Sequence, residues 1–429
     1  MAKPTLALIP ASQGSKLFSV LPSSGVGDFD FSRGSAATRI NSQGLIENVV
    51  SGQSRLSYPL IDGKVVGCPH HILEPARTNL VTYSEDFSNP NWTKFNSNAI
   101  ANSIISPDGT LSATKLTENT SSSTHRVYDT IIVSVTGVIC TQSIFAKSGG
   151  NGRFLRMFRG SGTYNFAVFD LDNGTVFSQG GNNIISTKIE KYPNGWYKCS
   201  STFTTQFGNI ATYYGMQNGS LDSYTGDGTS SIYLWGAQLE ESSYLTSYIP
   251  TNGTAVTRSA ETANGAGDAT TFSDSEGVFM AEISALADDS NIEAISINSN
   301  NADNRLALFK WNVSNRIQIR VNIAGNLAID AGVSLSNIED LNKISLKYKS
   351  GDYALWINGF EVYVNSSADT PIGLSNLSFD SNGTNAAPFK GKTKQIQYFD
   401  SALNDSDLET LTSWISFTDM ANGQLYTIE

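Results

Sequence analysis

The chain has 429 residues, 16% of them charged, and a formal net charge of −11. Soluble proteins average about a quarter charged residues, so this Ser-, Thr-, Asn- and Gly-rich composition points away from an ordinary enzyme and toward extracellular β-sandwiches or viral surfaces. The 28 basic residues form no run dense enough to follow a phosphate backbone, which argues against nucleic acid as a partner, and no window approaches the ~18 apolar residues of a membrane-crossing helix.

The opening run from Met1 to Pro10 is too short for a secretory signal, and Pro10 interrupts it. Residues 1–77 are Gly-rich, with a turn at Asn41 to Gly44 and strand-like alternation at Phe29 and Phe31 and around Tyr58. Their apolar content is too low for an independent core, so this segment is expected to be an attachment arm that packs on a neighbouring domain or on another chain.

Residues 78–250 carry short strand-like runs at 128–135, 139–146, 154–158, 164–170, 195–203 and 231–239, with turns at Asn173-Gly174 and Asn194-Gly195 and no sustained helical period. Regular short strands with turn signals between them predict an antiparallel sandwich. Residues 251–264 read as a linker. In residues 265–429, runs at 277–283, 293–297, 305–309, 316–321 and 343–347 alternate with period two, and Asn358-Gly359 marks a two-residue hairpin turn. The spacing of Leu403, Leu408, Leu411 and Ile415 predicts one helix over 405–414, capped by Asn404 or Asp405. The fold class expected is all-β: an N-terminal arm followed by two antiparallel β-sandwich (jelly-roll) domains.

Three sets of residues carry resemblances. Leu355-Trp-Ile-Asn-Gly359 with the later Ala402-Leu-Asn-Asp-Ser-Asp-Leu408 resembles the closing half of a concanavalin A-like, laminin-G-type sandwich. Asn79-Leu through Ser84-Glu-Asp-Phe-Ser-Asn89 and Trp92, then Gly195-Trp-Tyr-Lys-Cys199, then Tyr233-Leu-Trp-Gly-Ala-Gln-Leu-Glu240 resembles jelly-roll modules of the carbohydrate-binding type. Phe31-Ser-Arg-Gly-Ser-Ala-Ala-Thr-Arg39 and the Leu73-Glu-Pro-Ala-Arg-Thr-Asn-Leu80 junction are similar to segments of bacteriophage tail-fibre and virion proteins. Together they imply binding of sugar or protein rather than catalysis, and say nothing of the ligand.

The search for chemistry is mostly negative. His70, His71 and His125 are the only histidines, and no Gly-x-Ser-x-Gly elbow accompanies them. Asp170/Asp172 and Glu240/Glu241 are the available paired carboxylates, but they sit at strand ends and turns, and the Glu-x-Asp-x-x-Glu strand of concanavalin-like glucanases is missing. Cys68, Cys140 and Cys199 are too few and too scattered for a disulfide framework or zinc site; free buried thiols are expected, with one bridged pair as the alternative. No cofactor is expected, apart from a calcium ion that Asp380 and Asn382 would hold where laminin-G-type domains can bind one; turn chemistry is the competing reading.

Sugar binding would use exposed rings with neighbouring amides and acids. The candidates are Trp92, Tyr164, Tyr213, Tyr214 and Tyr224, whereas Trp196 and Trp235 are expected to be buried. The function expected is that of a non-enzymatic virion protein on the particle surface, a tail fibre, spike or capsid appendage. It would contact other virion proteins, form a homo-oligomer such as a trimer, and touch host-surface polysaccharide. A purely architectural decoration or collar is the alternative, and a secreted carbohydrate-active protein a lesser one.

Overall fold

The computed structural model describes residues 3–10, 14–133, 136–160, 165–206, 209–414 and 417–424. The fold is all-β, built from antiparallel sheets, and the α-helices among the described residues, Asp405–Ser413 and Phe417–Gly423, lie near the end of the chain. The middle sandwich consists of two six-stranded sheets. One runs, in spatial order, Thr93–Phe95, His125–Ile132, Asn209–Asn218, Arg153–Gly160, Asn165–Asp170 and Thr175–Gly180. The other runs Ser97–Ile105, Leu111–Glu118, Ser231–Glu240, Ile139–Ser148, Tyr197–Thr204 and Ile184–Lys191. Alternate residues of both sheets point between them, so Val127, Leu155, Met157, Phe169, Tyr214, Ile144, Cys199 and Leu234 share one core.

The last sandwich packs a five-stranded sheet, running from Asn326–Ser334 to Asn376–Ser378, against an eight-stranded one. At Asn358-Gly359 both residues have positive φ (50° and 89°), as a two-residue turn between Tyr353–Ile357 and Phe360–Asn365 requires. The helix Asp405–Ser413 is capped by Asn404, whose side chain accepts from the Asp407 N–H at 2.9 Å. Leu408 and Leu411 cover the outer face of the eight-stranded sheet, over Val278, Met280 and Trp356.

Residues 1–77 have no core of their own. Leu6–Leu8 and His70–Leu73 both add to Gly391–Phe399, so the first strands complete a sheet of the last sandwich. The 251–264 stretch, expected as a linker, is hydrogen-bonded along its length: Val256–Arg258 pairs with Arg77–Asn79, and Thr262–Asn264 with Phe29–Ser32. It is held because the arm supplies strand edges that period-two reading of one segment at a time does not reveal.

A second hydrophobic layer lies where the arm covers the middle sandwich. Ile46 from the arm meets Phe145, Tyr192, Trp196, Trp235 and Tyr248. Leu234 enters the sandwich core, so alternation sends Trp235 outward, under the arm. Trp235 is 1% exposed, packs 4.8 Å from Tyr248 and 5.5 Å from Phe145, and donates from Nε1 to Ser112 Oγ at 3.1 Å. Trp235→Ala is therefore expected to cost about 3–5 kcal/mol of stability. A thermal melt checks it, and an unshifted melting temperature would contradict this packing. Among the cysteines, Cys140 and Cys199 are buried free thiols, while Cys68 is free but exposed, contrary to expectation.

Candidate functional site

The structure sorts the expected sugar-binding rings. Trp92 is 1% exposed and sits in the core between Phe87 and Tyr214, its Nε1 donating to the Tyr83 carbonyl at 2.9 Å. Tyr214 is fully buried. Tyr224 is also buried: its hydroxyl donates to Glu118 Oε2 at 2.6 Å, beside the Arg153–Glu118 ion pair that closes one end of the sandwich. These three rings are structural because each lies on the inward side of its strand or loop. Tyr164 lies outside the described residues. Tyr213 remains, half-buried, on the outer face of the first six-stranded sheet.

Around Tyr213 the register assembles a continuous platform. Tyr128 and Phe158 are its cross-strand partners on either side. Phe158 stacks on it at 4.2 Å with planes 12° apart, and Tyr128 lies 5.0 Å away. Phe166 faces Phe158 on the next strand, and Phe95 faces Arg126. The Arg126 guanidinium lies within reach of four rings, 4.8 Å from Phe95, 5.1 Å from Tyr213, 5.2 Å from Phe158 and 5.9 Å from Tyr128. Gly215 is directly opposite Arg126, and a Cβ there would come within 3.1 Å of the Arg126 Cβ, so the glycine lets this side chain lie on the sheet. Arg126 Nη1 donates to Thr124 Oγ1 at 2.9 Å.

A second cation adjoins the first. Arg156 also lies opposite Gly215, on the other side, with its guanidinium 4.2 Å from the Phe166 ring. Nη1 donates to Gln217 Oε1 at 2.8 Å, and Nε is 3.3 Å from Asp222 Oδ1. Burial lowers the Arg156 pKa and the Asp222 charge opposes that. Beyond it Phe154 and Phe177 lie 4.7 Å apart, and Phe177 is 46% exposed. The face thus offers flat apolar rings for the C–H side of a sugar, with guanidinium and carboxamide groups at their margin for its oxygens.

Arg126, Tyr128 and Phe158 were not among the expected residues. The signal that could have found them is alternation: Val127, Ile131, Leu155 and Met157 occupy alternate positions of 125–132 and 153–160 and point inward, which leaves Arg126, Tyr128, Arg156 and Phe158 outward. The paired carboxylates are turn and core groups. Asp170 Oδ1 accepts from the Asp172 and Asn173 N–H groups, and Glu240 accepts from the Thr246 N–H.

At Asp380 and Asn382, where calcium and turn chemistry were the competing expectations, the hydrogen bonds fit the turn. Asp380 is fully buried, and both its oxygens already accept hydrogen bonds: Oδ1 from the Asn382 N–H, the Gly383 N–H and the Ser378 hydroxyl, Oδ2 from the Asn385 N–H. Asn382 Oδ1 accepts from Thr384. The carboxylate staples its own loop, which is turn chemistry. Among the described residues no group of three His, Cys, Asp or Glu side chains could hold a metal ion.

No protein-family model matches the chain, and no curated protein does. Among solved structures the chain is similar to the CBM40 of Ruminococcus gnavus IT-sialidase bound to α2,3-sialyllactose, at 18% identity over 35% of this chain and 88% of that one, with a TM-score of 0.29. It is also similar to domains LG4-5 of the mouse laminin α1 chain, at 11% identity over 68% and 93%, with a TM-score of 0.22. A third similar structure is Trypanosoma rangeli sialidase, at 9% identity over 94% and 78%, with a TM-score of 0.29.

Proposed function

We propose that this chain is a non-enzymatic virion protein of a bacteriophage, displayed on the particle as a tail fibre, spike or capsid appendage, and that the outer face of its middle sandwich binds host-surface glycans. The observation that carries the binding reading is the half-buried Tyr213 ring, stacked on the buried Phe158 with Arg126 lying beside it. Ring stacks are the inexpensive way to hold a flexible, hydroxyl-covered ligand, because two torsions fix a large flat area. The virion reading rests on the composition and on the resemblance of the 31–39 and 73–80 segments. Its partners are other virion proteins and further copies of itself, since several weak sugar sites on one oligomer multiply into firm attachment.

The test is adsorption competition. Purified protein added to host cells before the phage is expected to raise the count of unadsorbed particles. Tyr213→Ala is expected to keep its fold and to bind about tenfold more weakly, the loss of one good stacking contact. Undiminished adsorption in the presence of folded wild-type protein would favour an architectural role instead.

A further inference from the structure

A separate concavity lies on the opposite side of the middle sandwich, where the arm hairpin of Ala37–Ile40 and Ile46–Val49 meets the second six-stranded sheet. The cleft encloses about 540 Å³, within the size range of small-ligand sites. Asn48 comes from the arm, Glu85 and Asp86 from the entry to the sandwich, Asn102 from the edge strand, and Asn252 from the 250–252 segment. We infer that this cleft is a second binding site and that it takes an uncharged, hydroxyl-rich ligand, a neutral oligosaccharide segment.

The walls are held before any ligand arrives. Ser84 Oγ accepts from the Thr251 N–H at 2.8 Å, and the Gly253 N–H donates to the Thr82 carbonyl at 2.7 Å, fixing the 83–86 and 250–252 segments together. Glu85 Oε1 accepts from the Tyr248 hydroxyl at 2.9 Å, and the Tyr248 ring is itself packed on Trp235. Asp86 Oδ1 accepts from the Ser88 N–H at 2.9 Å. Asn102 has φ of 54° at the irregularity between Ile100 and Ile104, a conformation asparagine tolerates better than most residues.

The chemistry selects the ligand. The carboxamides of Asn48, Asn102 and Asn252 are engaged by no other described residue and offer both donors and acceptors. The lining contains two carboxylates and no lysine or arginine, which disfavours an anion. Burial pushes the Glu85 carboxyl above its usual range, the Tyr248 hydroxyl opposing and the Asp108 charge adding to it, and one of its two oxygens is already taken by that hydroxyl. The lining is too polar for an apolar ligand, and hydroxyl groups match it.

The experiment uses the full-length protein on an array of uncharged plant, fungal and bacterial oligosaccharides, with acidic glycans printed beside them. Wild type is expected to retain at least one neutral oligosaccharide, with binding indifferent to salt. In a protein already carrying Tyr213→Ala, so that the ring face does not contribute, Asn102→Gly/Asn252→Ala is expected to weaken it at least tenfold with an unchanged melt. Retention of acidic glycans only, loss of neutral binding in Tyr213→Ala alone, or neutral binding undiminished by the added cleft substitutions, would overturn the assignment. So would a melt raised by calcium and reversed by chelator in wild type but not in Glu85→Gln. Because the two variants lie in different sites, failure of the cleft leaves the ring face untouched.

Discussion

Glu261→Ala is expected to lower stability by about 3–5 kcal/mol, because it strips buried Arg33 of its carboxylate and leaves Arg55 and Arg258 to share Glu74 alone. Glu261 is fully buried, and so are Arg33, Arg55 and Arg258, with Glu74 at 1% exposure. Glu261 Oε1 accepts from Arg33 Nη1 at 2.7 Å and from Arg55 Nε at 2.8 Å, and Oε2 accepts from the Glu74 N–H at 2.8 Å. Glu74 in turn pairs with Arg55 at 2.8 Å and Arg258 at 2.9 Å, and accepts from the Ser247 N–H. Arg258 donates on to the Pro75 carbonyl, and Lys390 from the last sandwich donates to the Glu261 carbonyl. One network therefore joins the arm, the middle sandwich, the 258–261 segment and the last sandwich.

Arg258 and Arg55 hold the Glu74 carboxyl far below the usual carboxylate range against the opposing effect of burial. Burial lowers the Arg33 pKa, Glu261 opposing. With Glu261 gone, Arg33 keeps only carbonyl partners such as Val50 and Ser35. Denaturant unfolding measures the cost, and it should barely change between low and high salt because no ion reaches the site. A loss below about 1 kcal/mol, the scale of an exposed pair such as Lys188–Glu190, would refute the network's role.

This network also shows what was legible in the sequence. Arg33 and Glu74 lie in conspicuous motifs, yet nothing local says that Arg33 and Glu261, 228 positions apart, form an ion pair. Elements whose signal is local were readable: the Asn358-Gly359 turn, the Asn404 cap, and the period-two strands of both sandwiches. The pairing of the arm with the last sandwich was not, because strand partners are chosen by long-range fit. For the binding face, adjacency misled. Tyr213 and Tyr214 are equivalent as residue types, and only the direction of the pleat sends one to the surface and the other to the core. Buried Trp92 and Tyr224 show the same limit, since an aromatic ring in a loop reads as exposed until its neighbours are known.

Two histidines and one glutamate bear on the pH dependence of stability near neutrality. His70 and His71 lie in the strand His70–Leu73, paired to Gly391–Phe399, and both are buried. Burial lowers both pKa values to about 3, the Lys392 charge adding to the effect at His70 and the Arg55 backbone opposing it at His71. In the unfolded chain they titrate near 6.5, so between pH 6.5 and 3 the unfolded state binds protons that the folded state refuses. Stability then falls as pH falls, by about 1.4 kcal/mol per unit for each histidine.

Glu293 works the other way. Burial raises its pKa to about 7, with Lys310 opposing, so from pH 7 down to 4.5 the folded state holds the extra proton and stability rises on acidification. From pH 6.5 to 5, two terms against one leave these groups with a net loss of about 1.4 kcal/mol per unit. Glu293→Gln is expected to roughly double that slope, and His70→Leu/His71→Leu to reverse its sign. Denaturant midpoints at several pH values across this window measure the slopes. A double variant with the wild-type slope would show that the two rings charge freely in the folded protein, and that the sheet joining the arm to the last sandwich admits water.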